Sequence, residues 1–98
     1  MKTKVAFNNC YGGFSLSKQA IERLEAEGVE EPDCYWDLCR HDPRLIRVIE
    51  ELGAAACGEY TTLAVAEIEG DRYFIDEYDG RETVITPKRL ERRWVVVT

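Results

Sequence analysis

A glycine-rich loop, four cysteines and one histidine are the residues of this sequence best suited to chemistry. The loop reads Cys10-Tyr11-Gly12-Gly13-Phe14-Ser15 and joins an apolar stretch to the start of a helix. Glycines at such a junction let the backbone turn sharply and approach a ligand closely. N–H groups at a helix start favour an anion, and Tyr11 or Phe14 offers a flat ring for stacking. That combination suits a phosphate-bearing, nucleotide-like ligand. The loop matches neither the phosphate-cradling pattern ending in Gly-Lys-Ser/Thr nor the dinucleotide fingerprint. The plainer alternative is a tight turn whose aromatics plug the core.

The other candidates are less specific. Cys10 as a nucleophile would need a base such as His41 and a stabilised thiolate. Cys34, Cys39, His41 and Cys57 have the atom types for zinc, but structural zinc sites use tighter cysteine pairs. Buried free thiols are the plainer account. Asp76, Glu77, Asp79 and Glu82 surround a hairpin with Arg72 and Arg81 beside them. Strand alternation puts Asp76 and Glu77 on opposite faces, which spoils them as an acid–base pair. Cross-strand Arg–carboxylate pairing on a solvated hairpin is expected instead. Lys88, Arg89, Arg92 and Arg93 form a basic cluster that could meet a ligand phosphate. No catalytic set, metal site or cofactor is assigned.

The elements that must position these groups follow from periodicity and punctuation. Lys4 to Asn8 alternates as a first strand. A helix is expected from Ser15 or Ser17, each a good N-cap, with Ala20, Ile21 and Leu24 on one face and Gly28 closing it. Pro32 keeps the helix from continuing, and Cys34 to Leu38 reads as a short strand or ordered loop. A second helix has Asp42 as N-cap, Pro43 at N1 and Gly53 past its end. Its Leu45, Val48, Ile49 and Leu52 repeat at helical spacing. Thr61–Glu69, Arg72–Tyr78 and Arg81–Thr86 read as three strands, with turns at Gly70-Asp71 and Asp79-Gly80; the latter is a strong hairpin signal. Thr86-Pro87 opens a helical turn through Leu90, and Trp94 to Val97 has strand propensity. The fold class is α+β: two helices on one face of a mainly antiparallel β-sheet with a C-terminal three-stranded meander, as a single domain spanning 1–98.

The chain has 98 residues and a formal net charge of −6. That charge argues against direct nucleic-acid binding, which needs clustered Lys and Arg. It permits plain solubility, a basic protein partner or polyanion mimicry. No apolar run is long enough to span a membrane, and the apolar stretch after the basic start is too short for a secretory signal. A reducing cytoplasm with free thiols is the expectation. A core this small makes a homo-oligomer the expected state.

Asn9-Cys10-Tyr11-Gly12-Gly13-Phe14-Ser15-Leu16-Ser17 resembles the opening of a group of short phage and prophage proteins. Arg40 to Ile46 leading to Gly53, Leu63 to Ile68, and Tyr78 to Glu82 resemble later parts of the same group. The resemblance weakens after Thr86, where Trp94-Val95-Val96-Val97 departs from a basic, aromatic ending. It implies a phage-encoded protein in a bacterial host cytoplasm; small phage accessory proteins often counter host defence, and that is the role expected from the type of genome.

The resulting expectation is a non-enzymatic homo-oligomeric binding protein. It would capture a nucleotide-like anion with Cys10, Tyr11, Gly12, Gly13, Phe14 and Ser15, helped by Arg92 or Arg93. The alternatives are a protein–protein inhibitor presenting its acidic surface to a host protein, and a Cys10-dependent enzyme.

Overall fold

Asp42 begins the best-defined element. Its side chain accepts the N–H of Arg44 at 2.9 Å, Pro43 occupies the first turn, and Gly53 at φ 58° closes the helix. The structure, a computed structural model, describes residues 2–35, 37–70 and 72–88. Its helices are α1 (Lys18–Ala26) and α2 (Pro43–Leu52), and its strands are β1 (Lys2–Asn8), β2 (Leu63–Glu69), β3 (Phe74–Tyr78) and β4 (Arg81–Ile85). The fold class is α+β.

Both helices obey the rules their sequences announce. Ser17, rather than Ser15, caps α1 by accepting the N–H of Ala20. At the other end the N–H of Val29 reaches the Leu24 carbonyl and that of Gly28 the Glu25 carbonyl, while Gly28 sits at φ 91°. These are the paired bonds of a glycine-closed helix end. Leu45, Val48 and Ile49 of α2 are buried, and Ile46 joins them. Each such side chain contributes about 1.5–3 kcal/mol of burial. Arg23 pairs with Glu51 and Arg47 with Glu27, tying α1 to α2.

The sheet is where the sequence reading needs correction. All three strands of the expected meander are present, and β3–β4 form the hairpin, with Asp79 at φ 55° and Gly80 at φ 90°. β2, however, pairs antiparallel with β1, from Lys2 opposite Glu69 to Asn8 opposite Leu63. Among the described residues the ladders are two separate two-stranded sheets. Of the Cys34–Leu38 segment, the described residues form no strand: Tyr35 and Asp37 lie in turns and Leu38 in a bend. Pro87 and Lys88 begin the expected helical turn; its continuation to Leu90 and the Trp94–Val97 strand lie outside the described residues.

Alternation along β1 and β2 explains the layering. Ala6, with Val65 and Leu63, faces the helices and their core of Leu24, Leu45, Val48 and Ile49. Val5, with Phe7, Ala66 and Ile68, faces the hairpin and its Val84 and Ile75. The two helices therefore lie on one face of the β1–β2 ribbon and the β3–β4 hairpin on the other.

The α2 cap also gives a pH dependence. The Asp42 carboxyl is held below its ordinary range, chiefly by the Arg44 side-chain hydrogen bond, with the Arg44 N–H and charge adding. A folded pKa below the unfolded one stabilises the fold above the unfolded value, and that gain disappears as pH falls through the folded value. The melting temperature should therefore drop below about pH 4. Asp42→Asn, which keeps a cap oxygen without the charge, should flatten that acid limb in melting curves. An equally steep limb in the variant would refute the assignment.

Candidate functional site

The glycine-rich loop is built around a buried side-chain amide. Asn8, at the end of β1, is fully buried. Its Nδ2 donates to the carbonyls of Cys10 at 2.7 Å and Gly80 at 2.9 Å; its Oδ1 accepts from the Thr62 N–H at 3.0 Å and the Cys10 thiol at 3.2 Å. One amide thus joins β1, the loop, the start of β2 and the hairpin turn. Gly80 lies so close to the loop that a Cβ there would meet the Tyr11 carbonyl oxygen at 2.6 Å. Gly12 packs on Tyr60 with no room for a Cβ. Gly12 and Gly80 serve close approach of chain to chain, and Gly13 serves the turn with its φ of 86°.

Beneath the loop lies a buried ion pair. Arg40 grips Glu82 with two hydrogen bonds, Nη1 to Oε1 at 2.6 Å and Nη2 to Oε2 at 2.9 Å. Glu82 is 5% exposed and the Arg40 side chain 13%. Glu82 Oε1 also accepts the Asn8 N–H at 2.9 Å, and the Ala6 N–H donates to the Arg40 carbonyl at 2.8 Å. These groups satisfy the β1 edge that faces away from β2, where a third strand would otherwise be needed. The Arg40 guanidinium carbon also lies 3.7 Å above the Phe14 ring. The expected solvated pairing of Glu82 with Arg72 or Arg81 is thereby corrected: its partner is Arg40, from the turn before α2.

This burial divides the loop residues. Phe14 is sandwiched by Arg40 and an edge contact with Tyr35, and the Ser15 hydroxyl bonds to Thr61 at 2.5 Å. Both work as internal plugs. The amides leading into α1 are engaged as well, Leu16 N–H with the Tyr35 hydroxyl and Ser17 N–H with the Ala56 carbonyl, and in the first turn the Ala20 N–H goes to the Ser17 cap. Tyr11 turns outward at 62% exposure. Tyr60 and Tyr78 are exposed at 78% and 76%. Tyr60 holds its position with φ 61°, a conformation unfavourable for a bulky residue.

Arg81 connects these aromatics to a groove. Its guanidinium lies 5.9 Å from the Tyr11 ring centroid, and its Nη2 donates to Asn9 at 3.4 Å. The groove has a volume of about 540 Å³ and runs between the Phe7–Ala66–Ile68 face of the ribbon and β4. Arg81 and Lys88 line it, as do Glu67 and Glu69. Its size is that of a small-ligand pocket. Lys88 opens the basic cluster singled out in the sequence; Arg92 and Arg93 lie outside the described residues. Sequence reasoning missed the groove because it forms between strands distant in the chain.

The cysteines separate. The single Cys10 thiol proton has two acceptors in reach, the Tyr60 carbonyl at 3.0 Å and the Asn8 Oδ1 at 3.2 Å, and is donated to one at a time. The Gly12 N–H aimed at its sulfur holds the thiol below its ordinary range, aided by Thr62 and Asn8 and opposed by partial burial. His41 is engaged elsewhere, with its Nδ1 2.6 Å from the Tyr73 hydroxyl and its ring edge-on to Tyr73. Cys10 and His41 are therefore not brought together as nucleophile and base. The Cys39 sulfur is 3.5 Å from each nitrogen of the His41 ring. An equidistant sulfur in the ring plane would collide with Cε1, so it lies over the face and off both lone pairs. Cys34 bonds to Asp37, and the Cys57 sulfur accepts the Leu63 N–H. Among the described residues no three His, Cys, Asp or Glu side chains converge as a metal site. No helix among them is long and apolar enough to cross a membrane.

Compared with known families, curated proteins and solved structures, the chain matches no family model, no curated protein and no solved structure. What defines the site is its geometry: a groove where Arg81 and Lys88 stand among the carboxylates Glu67, Glu69 and Glu82, with an outward tyrosine beside Arg81 and a buried polar knot holding the loop in place.

Proposed function

We propose that the protein is a non-enzymatic binding protein that takes up an anionic, nucleotide-derived ligand in the groove beside β4. The observation that carries this reading is the position of Arg81, which lines the groove and lies against the exposed Tyr11 ring. A guanidinium binds phosphate through charge-assisted, often paired hydrogen bonds, and a tyrosine ring accepts a base by stacking. Lys88 supplies a second cation. The Cys10–Ser15 loop then acts as the frame that presents Tyr11; Arg92 and Arg93 follow Lys88 in the chain as further cations for the same anion. The resemblance to short phage proteins supports a role in a bacterial cytoplasm, where the protein would sequester a nucleotide signal used in host defence; the small core supports a homo-oligomer.

Calorimetric titration with mononucleotides and cyclic nucleotides tests this directly. Arg81→Ala should weaken binding about ten- to hundredfold, the worth of a charged hydrogen bond, with little change in melting temperature because Arg81 is exposed. No binding heat from any nucleotide, or equal affinity in the variant, would remove the proposal.

A second reading rests on the outer face of the hairpin, where Phe74, Asp76 and Tyr78 are all exposed. That acidic and aromatic face would suit a basic host protein. Binding in a host lysate that disappears at high salt would favour it.

A further inference from the structure

The surroundings of Arg81 narrow the ligand class. In the β3–β4 register Arg81 stands directly opposite Tyr78, so the two side chains emerge from the same face of the hairpin. Directly opposed residues of an antiparallel pair have Cβ atoms about 4.5–5.5 Å apart. The Arg81 guanidinium also lies 5.9 Å from the Tyr11 ring centroid. One cation thus neighbours two tyrosines that are 62% and 76% exposed, Tyr11 by contact and Tyr78 by register.

Their exposure is held by the backbone. Tyr78 leads into the Asp79-Gly80 turn, whose two positive φ angles fix the hairpin end. Gly80 in turn presses on the backbone of Tyr11 and Gly13, where a side chain would not fit. The two rings therefore belong to one rigid junction between loop and hairpin. Neither ring gains much burial from its position, which leaves ring surface available for stacking.

We infer that the site recognises a dinucleotide, with the internucleotide phosphodiester on Arg81, one base on Tyr11 and the other on Tyr78. The pattern of ring, cation, ring repeats the pattern of base, phosphate, base. Local charge sets the upper limit on length. Asp76, Glu77 and Asp79 surround Tyr78, and Glu67 and Glu69 line the groove, so a longer polyanion meets repulsion on both sides. A ligand with one or two phosphates matches the cations Arg81 and Lys88.

This inference rests on the nucleotide-binding reading and is tested separately from it. The four linear homodinucleotides would be titrated against the corresponding 5′-mononucleotides by calorimetry, using the full chain. At least one dinucleotide should bind more tightly than its mononucleotide. Tyr78→Ala should lower dinucleotide affinity roughly five- to hundredfold, the range for loss of one base–aromatic stack, and mononucleotide affinity by no more than about twofold, because Tyr11 still offers a platform. Tyr78→Phe, which keeps the ring, should restore it. Equal affinity for mononucleotides and dinucleotides, or a Tyr78→Ala variant that binds dinucleotides as the parent does, would overturn the inference and leave the mononucleotide reading standing. Binding of neither class would remove both.

Discussion

Arg40→Ala should lower the unfolding free energy by about 3–5 kcal/mol, the cost of stripping one partner from a buried ion pair. Glu82 would remain 5% exposed with its charge uncompensated. The variant would also lose the cation above Phe14. For a domain of this size, whose whole stability is about 5–15 kcal/mol, that loss shifts the melting temperature by well over about 10 °C. Urea unfolding followed by circular dichroism gives the number. Replacing both charges by apolar residues, as in Arg40→Met with Glu82→Leu, should recover only part of it. The Asn8 N–H, which Glu82 now accepts, would lose its acceptor. A single variant within about 1 kcal/mol of the parent, the scale of an exposed pair, would contradict the buried knot.

Asn8→Ala should be of similar size, about 3 kcal/mol or more. The change orphans the carbonyls of Cys10 and Gly80 and the N–H of Thr62. Each of these partly buried backbone groups left unpaired costs up to about 1–3 kcal/mol, with entering water relieving part of the total. The effect should reach the loop as well as global stability, because the same amide holds the Cys10 thiol. Alkylation of Cys10 by iodoacetamide, read by peptide mass, should therefore change in rate in the variant. A variant of unchanged stability and unchanged Cys10 reactivity would show that the loop is held by something else.

These two effects mark the boundary of what the sequence makes legible. Both helices are visible in it, because caps, a terminal glycine and an apolar stripe are local signals that agree at Asp42, Pro43 and Gly53. The hairpin is visible for the same reason: Asp79-Gly80 demands its own turn type. Strand pairing is not local. Thr61–Glu69 reads as the first strand of a meander because the next strand follows closely, yet β2 pairs with β1, more than fifty residues upstream. Alternation did contain the inward carboxylate. Glu82 is two residues before Val84, and a core-facing Val84 puts Glu82 on the inner face too. Its cation, Arg40, lies in an irregular turn with no periodicity to reveal it.

The site divides in the same way. The Cys10–Ser15 loop stands out in the sequence for its glycines, and the structure uses Gly12 for contact with Tyr60 and Gly13 for a turn at φ 86°. Tyr11 is the loop residue presented to solvent at 62% exposure. Phe14 and Ser15, equally conspicuous in sequence, turn inward because Arg40 and Thr61 await them. Arg81 reads in the sequence as half of a solvated cross-strand pair. Its place between Tyr11 and the groove depends on the loop and hairpin docking through Asn8, a contact over seventy residues in the chain.

Native mass spectrometry of the protein as purified from a bacterial host tests the central claim most directly. It weighs the assembly and anything bound to it. The nucleotide-binding account expects a discrete added mass matching a nucleotide-derived ligand, present in the parent and lost in Arg81→Ala. A clean ligand-free mass that stays unchanged after incubation with a bacterial small-molecule extract would contradict it.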